Sequence, residues 1–211
     1  MRLFFAVEVP PDVKARIVDV QNQLRATIPE GYLRYVKPDL LHVTLAFLGE
    51  VPADRLPEVN QIATKLASQS PTTKIAFQGI GCFPAWRSPQ VLWVGVDEDI
   101  TTGDIATNSE LRAPSSGFKK GPLTDLGNQL SNQCADLGDA KLETSTVLHV
   151  TLARSNTKLT KDKARTVAEP VNAQSWTDLG EAKVTEILLF ESTLGQGPTQ
   201  HTAIERFPLK P

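Results

Sequence analysis

The sequence repeats one six-residue segment, and this repeat limits what the chain can fold into more than any other feature. The letters "LHVTLA" stand at 41–46 and again at 148–153. The chain contains three histidines, and two of them, His42 and His149, lie in these copies. The interval between the histidines equals that between the threonines that follow them, Thr44 and Thr151. This predicts a duplication, in which two similar halves each carry a histidine at the same place.

Each copy of the repeat is predicted to form a β-strand. Successive side chains of a strand point to opposite faces, so leucines and valine would share the face that packs on a core. The other face is predicted to carry His42, Thr44 and Ala46 in the first copy, and His149, Thr151 and Ala153 in the second. If the two halves are related by an approximate two-fold axis, both faces can line one cleft.

The rest of the chain alternates between strand and helix patterns. Further strands are predicted at 3–9, 74–83, 90–96, 184–192 and 202–209. Helices are predicted after Pro10-Pro11 up to Ile28, over 56–66, over 123–137 and around 160–169. Residues 97–121 have no sustained period and are rich in Gly, Ser, Thr and Asp, which predicts a long surface loop. We therefore expect one domain that spans residues 1–211.

Composition excludes several classes of protein. With 211 residues, 40% hydrophobic and 22% charged, the chain has the composition of a folded domain with a core. A net charge of −2 argues against a binder of long DNA or RNA, which needs many phosphate contacts, but leaves recognition of a single nucleic-acid end open.

The sequence also indicates in which compartment of the cell the protein resides. The N-terminal apolar run is too short for a signal peptide, and no stretch has the length of a membrane helix. Cys82 and Cys134 lie far apart and lack metal-ligand spacing, so we expect two buried thiols in a reducing cytoplasm.

Two imidazoles on opposite sides of one phosphorus suit the hydrolysis of a phosphodiester. Because the pKa of histidine is near 6.5, one ring can be neutral and take a proton from water while the other is protonated and supplies one to the leaving oxygen. Two threonine hydroxyls can donate hydrogen bonds to the non-bridging phosphate oxygens. No metal or other cofactor is needed for this scheme, and the histidines lack the close spacing of a zinc site.

The two "HVTL" tetrapeptides, at 42–45 and 149–152, resemble the His-x-Thr-x signatures of the two-histidine (2H) phosphoesterase superfamily. Within it the chain is most similar to the RNA 2′,3′-cyclic phosphodiesterases, also described as 2′-5′ RNA ligases. The similarity runs nearly end to end, through "RLFFAVEVP", "HVTLAFLGEV", "FQGIGCFP", "VLWVGV" and "HVTLARS" to "LFEST" and "ERFPL".

The resemblance implies an α+β, bilobal fold with pseudo-two-fold duplicated lobes, in which two antiparallel sheets face a central cleft and helices lie outside. It implies hydrolysis of a 2′,3′-cyclic phosphate at an RNA 3′ end, or on a nucleotide, to a 2′-phosphate. His42 would be the proton donor and His149 the proton acceptor, although swapping them needs only the reverse orientation of substrate. Thr44, Thr151 and Arg154 would bind substrate. We expect a monomer with no membrane association.

Other side chains are open to two interpretations. Arg154 follows His149 at odd spacing, so a regular strand would point it away from the cleft unless the strand twists. Arg34 and Lys37 are potential phosphate neighbours, but solvated surface positions are favoured. Phe47 and Trp86 could stack on a base, yet core packing is favoured for Phe47. His201 stands where relatives commonly have tyrosine, and we expect it at the surface or in packing between the lobes.

Two other functions remain open. A non-catalytic module that binds RNA ends or nucleotides would not require two titrating groups. A ligase would join a cyclic phosphate to a 5′ hydroxyl by the reverse chemistry, and it would have to hold a second RNA in place of water.

Overall fold

The sheet dominates the structure, a computed structural model that describes residues 1–98, 120–140, 147–193 and 199–211. Most of the predicted loop at 97–121 therefore lies outside the described residues. The strands are β1 (Arg2–Glu8), β2 (Leu33–Tyr35), β3 (His42–Glu50), β4 (Thr73–Phe83), β5 (Val91–Asp97), β6 (His149–Ser155), β7 (Glu181–Val184), β8 (Glu186–Thr193) and β9 (Gln200–Pro208). The predicted strands are confirmed, whereas the short β2 and β7 were not predicted.

Helices form where the apolar spacing predicts them: α1 (Pro11–Thr27), α2 (Leu56–Gln69), α3 (Pro122–Gln133) and α4 (Lys161–Asn172). Helix α1 begins with proline at its first position, where the missing N–H would have no partner in any case. The described helices include none that is both long enough and apolar enough to span a bilayer.

The sheet consists of two halves with equivalent strand orders, counted outward from the centre. The order is β7-β4-β5-β6-β3-β1-β8-β9, and β2 pairs with β6 beside this path. One half runs from β6 through β5 and β4 to β7, and the other from β3 through β1 and β8 to β9. The histidine-bearing strand is therefore innermost in both halves, which agrees with a duplicated chain.

The fold class, α+β with an antiparallel sheet and helices outside, is confirmed, with one difference in detail. The two predicted sheets are halves of one nine-stranded sheet, because β3 and β6 pair at Val43 and Val150. The ladder between β3 and β6 has one residue pair, and β2 adds three pairs with β6.

The two faces of the sheet are packed very differently. One face and the helices share the main core, to which β1 contributes Leu3, Phe5 and Val7. The opposite face carries a small apolar cluster of Phe4, Ala6, Leu188 and Phe190, and the buried Trp93 packs there against His149. We call this second face the cleft face, because the histidines of both repeats lie on it.

Helix α3 is held by Glu98 at its start and packs closely against β3 at its middle. The buried Glu98 carboxylate, just after β5, accepts hydrogen bonds from the backbone N–H groups of Gly121, Leu123 and Thr124 at 3.0, 2.6 and 3.0 Å. These groups have no partner within the helix, and an anion is favoured at a helix N-terminus. A Cβ atom on Gly127 would lie 2.6 Å from the Leu45 carbonyl oxygen, so only glycine allows this approach.

Candidate active site

The two His-x-Thr pairs lie side by side where the halves of the sheet meet. Val43 pairs with Val150 in antiparallel orientation. Counting outward along the two strands places His42 across from Thr151 and Thr44 across from His149. Each histidine thus has the threonine of the other repeat as its cross-strand neighbour, and the four polar side chains belong to one site.

Both imidazoles are held in the same way. Nδ1 of His42 lies 2.8 Å from the Leu40 carbonyl oxygen, and Nδ1 of His149 lies 3.0 Å from the Val147 carbonyl oxygen. A carbonyl can only accept, so Nδ1 carries the proton and donates in both rings. Each Nε2 is therefore the atom left to take up or release a proton in the cleft.

Aromatic rings support each imidazole from its own half of the sheet. The His42 ring centroid lies 4.9 Å from that of Phe4. The His149 ring centroid lies 5.1 Å from that of Phe83 and 5.9 Å from that of Trp93. Both catalytic candidates are thus fixed by one backbone hydrogen bond and by ring packing, which leaves few alternative rotamers.

Electrostatics disfavour a proton on His42 in the absence of ligand. Burial lowers the pKa of His42 to about 4, against the opposing effect of its hydrogen bond to the Leu40 carbonyl. His201 and His149 in their protonated forms, and Arg154, lower the pKa further by repulsion. A guanidinium and two further imidazoles that act on one imidazole suit the binding of an anion.

The threonine hydroxyls are available to that anion. Thr44 and Thr151 are half-buried on the cleft face, and neither hydroxyl forms a hydrogen bond with another described residue. A hydroxyl donor without a protein partner, next to two imidazoles, can donate to a phosphate oxygen.

A β-bulge at the same place in both repeats corrects the predicted faces. Pairing of β1 with β3 skips Leu45, and pairing of β5 with β6 skips Leu152. The extra residue shifts the alternation by one, so Ala46 and Ala153 pack in the core rather than beside the histidines. The prediction that these alanines share the histidine face was wrong.

The same bulges bring the fifth residue after each histidine onto the cleft face. In the second repeat this residue is Arg154, which pairs across β5 with Val91 and is exposed. In the first repeat it is Phe47, which pairs with Phe4, is 41% exposed and lies 4.9 Å below the Arg2 guanidinium. The expected core packing of Phe47 was therefore wrong, and the cleft has one cationic and one aromatic end.

His201 is the site residue that sequence reasoning missed. Its ring centroid lies 5.3 Å from that of His42 and 4.9 Å from that of Phe4, in edge-to-face arrangements. Its Nδ1 is buried and has no hydrogen-bond partner among the described residues. Only the pairing of β8 with β9, at Ser192 and His201, brings it here. All three histidines of the chain thus lie on the cleft face.

The remaining candidates lie apart from the imidazoles. Trp86 packs against the main core and Lys37 is exposed. Cys82 and Cys134 are free and buried, as predicted, and burial raises the pKa of their thiols to about 12 and about 11. Within the described ranges, no three His, Cys, Asp or Glu side chains gather as metal ligands would.

The fold and the paired His-x-Thr strands agree with those that the resemblance to two-histidine phosphoesterases implies. The family model for LigT-like phosphoesterases matches residues 7–93. The chain is 29% identical over 194 residues to the RNA 2′,3′-cyclic phosphodiesterase of Archaeoglobus fulgidus, with 92% of both chains covered. It is also 29% identical over 209 residues to that of Escherichia coli K12, covering 99% of this chain and 96% of the relative.

The likeness extends to solved structures. The crystal structure of E. coli LigT complexed with 3′-AMP superimposes with a TM-score of 0.69 at 24% identity, covering 99% of this chain and 97% of that one. The chain is thus similar to LigT-like phosphoesterases in sequence over nearly its whole length and in fold, as the resemblance drawn from its motifs predicted.

Proposed function

We propose that the protein is an RNA 2′,3′-cyclic phosphodiesterase, a hydrolase that opens the cyclic phosphate at an RNA 3′ end to a 2′-phosphate. The observation that carries the proposal is the pairing of two His-x-Thr strands, each with the imidazole Nδ1 bound to a backbone carbonyl, so that Nε2 is the nitrogen that exchanges a proton. The names of the relatives from A. fulgidus and E. coli, both RNA 2′,3′-cyclic phosphodiesterases, support the same activity.

The reaction requires one group that accepts a proton from water and another that donates a proton to the leaving oxygen. Nε2 of His149 takes a proton from water, whose oxygen attacks phosphorus as the bond from phosphorus to O3′ breaks. Nε2–H of His42 gives its proton to O3′, which leaves a 3′ hydroxyl and a 2′-phosphate. Thr44 and Thr151 donate hydrogen bonds to the non-bridging oxygens, whose charge grows in the transition state.

His42 can serve as the acid only when substrate is bound. With a pKa of about 4, its imidazole is neutral at pH 7 in the free protein. A phosphodiester anion in the cleft offsets the charge of Arg154 and favours the protonated imidazole, and so raises the pKa of His42. Binding of the anion thus supplies the protonated donor that the leaving oxygen needs.

The proposal includes a monomeric enzyme in the cytoplasm that acts on an RNA 3′ end or a nucleotide 2′,3′-cyclic phosphate. Buried free thiols are typical of a reducing compartment. The complex of E. coli LigT with 3′-AMP supports a nucleotide-sized ligand.

Product analysis tests the activity. The protein is incubated in EDTA with adenosine 2′,3′-cyclic phosphate, and separately with a short RNA that ends in one, and the products are compared with 2′- and 3′-phosphate standards. We expect the 2′-phosphate alone. A 3′-phosphate product, or no turnover of either substrate, would refute the proposal.

The threonine roles have a separate test. Thr44→Val and Thr151→Val keep the side-chain shape but remove one donor each, so kcat should fall by about 10² or more. Thr166→Val, on the exposed side of α4, removes a hydroxyl that bonds the Asp162 carbonyl and should leave kcat unchanged. An unchanged kcat in both cleft variants would contradict the assigned roles.

A further inference from the structure

Two arginines stand directly opposite each other on neighbouring strands of the cleft face. Arg34 of β2 pairs with Arg154 of β6 in antiparallel register. Residues opposite each other in such a pair point to the same face. The neighbours of Arg34 on β2, Leu33 and Tyr35, pack against the main core, so Arg34 points to the opposite, cleft side.

This arrangement is unfavourable unless an anion occupies it. Like charges directly across a strand pair repel each other. Both guanidinium groups are exposed, and neither forms an ion pair or hydrogen bond with any other residue that the structure describes. Elsewhere the chain pairs exposed arginines with carboxylates, as Arg55 with Glu58 and Arg165 with Glu169.

The pair lies next to the reacting site, on the side of His42. Because Leu152 is bulged, Arg154 is two ladder positions beyond Thr151, about 7 Å along the strand, and Thr151 is the cross-strand neighbour of His42. The charge of Arg154 reaches the His42 imidazole and lowers its pKa. The proposed acid stands where O3′ leaves, so the ribose of the terminal nucleotide belongs on this side of the phosphorus.

We propose that Arg34 and Arg154 form a second phosphate site, which binds the phosphate on the 5′ oxygen of the nucleotide that carries the cyclic phosphate. The inference rests on the proposed function and specifies its substrate: a nucleotide with a phosphate at both ends of its ribose, such as the last residue of an RNA. Guanidinium groups suit this role because each can donate two parallel hydrogen bonds to a phosphate.

A kinetic comparison tests the site. Three substrates are used: adenosine 2′,3′-cyclic phosphate, the same compound with a 5′-phosphate, and a dinucleotide that ends in a 2′,3′-cyclic phosphate. Since hydrogen bonds to charged groups contribute about 1.5–3 kcal/mol, kcat/KM of the second and third should exceed that of the first by roughly 10- to 100-fold. In Arg34→Ala this ratio should fall several-fold, and in Arg34→Lys it should be intermediate.

The matched control is Arg165→Ala, which removes one exposed arginine from α4 and should keep the wild-type ratio. A gain for the dinucleotide alone would assign the site to an internal phosphodiester, and a gain for both would assign it to any 5′-phosphate. No gain for either in the wild type, or the wild-type ratio in Arg34→Ala, would overturn the proposal.

Equilibrium binding separates this inference from the catalytic proposal. Calorimetry with adenosine 2′-phosphate and adenosine 2′,5′-bisphosphate measures the contribution of the 5′-phosphate without any turnover. We expect the bisphosphate to bind at least about tenfold more tightly to wild type, and the advantage to shrink in Arg34→Ala. Equal affinities would refute the second phosphate site even if the cyclic phosphate is hydrolysed. Absence of hydrolysis with this advantage intact would refute the catalytic proposal alone.

Discussion

Lowering the pH should lower the free energy of unfolding, by an amount set by the shifted pKa of His42. The pKa of His42 is lowered from 6.5 to about 4, chiefly by burial. Between these values the unfolded chain binds a proton at this histidine and the folded protein does not, so stability falls as pH falls. The contribution lost is about 2 kcal/mol by pH 5 and about 3 kcal/mol by pH 4, relative to pH 7.5.

Comparison with His42→Phe isolates this contribution. Phenylalanine keeps a ring beside Phe4 and Phe190 but cannot titrate. Free energies of unfolding are measured by urea titration for both proteins at pH 7.5, 5 and 4, so that the effects of the carboxylates cancel in the difference. Wild type should lose about 2–3 kcal/mol more than His42→Phe over this range. Curves that stay parallel within about 0.5 kcal/mol would refute the assignment of a buried, neutral His42.

Three further predictions follow from contacts around the site. His201→Phe removes a positive neighbour, so the NMR titration midpoint of the His42 imidazole should rise; an unchanged or lower midpoint would contradict the coupling. Gly127→Ala should lower the free energy of unfolding in urea by about 1–3 kcal/mol, because its Cβ meets the Leu45 carbonyl. Gln129→Ala, on the exposed side of α3, is the control and should change this free energy little. Equal stabilities of the two variants would contradict the close approach. Glu98→Ala leaves three N–H groups at the start of α3 without an acceptor, so the free energy of unfolding in the same assay should fall by about 2–4 kcal/mol. Glu98→Gln keeps one acceptor oxygen and should be less affected. A loss below about 0.5 kcal/mol in Glu98→Ala would contradict this role.

The repeat predicted the centre of the site because it is a local feature. His42, Thr44, His149 and Thr151 share one face as strand alternation requires, and they line one site as the predicted duplication implied. Strand and helix positions also followed from apolar spacing, since each element buries one side in the main core.

What the sequence did not predict depends on pairing between distant strands. A bulge has no signature in the composition of its own strand, so the skipped Leu45 and Leu152 reversed the predicted faces of Phe47 and the two alanines. His201 reaches His42 only through the pairing of β8 with β9. The strand β2 is three residues long, too short for a period, yet it carries Arg34 to Arg154.

The central claim is that two imidazoles act on one phosphorus in one step. Its most direct test is the rate of cyclic phosphate hydrolysis by His42→Ala, His149→Ala and the double variant, each shown to be folded by circular dichroism. Each single variant should lose about 10²–10⁴ in kcat, and the double variant should be about as slow as the slower single one, because groups that act as a unit are not additive. Retained activity in either single variant, or losses that multiply in the double variant, would contradict the account.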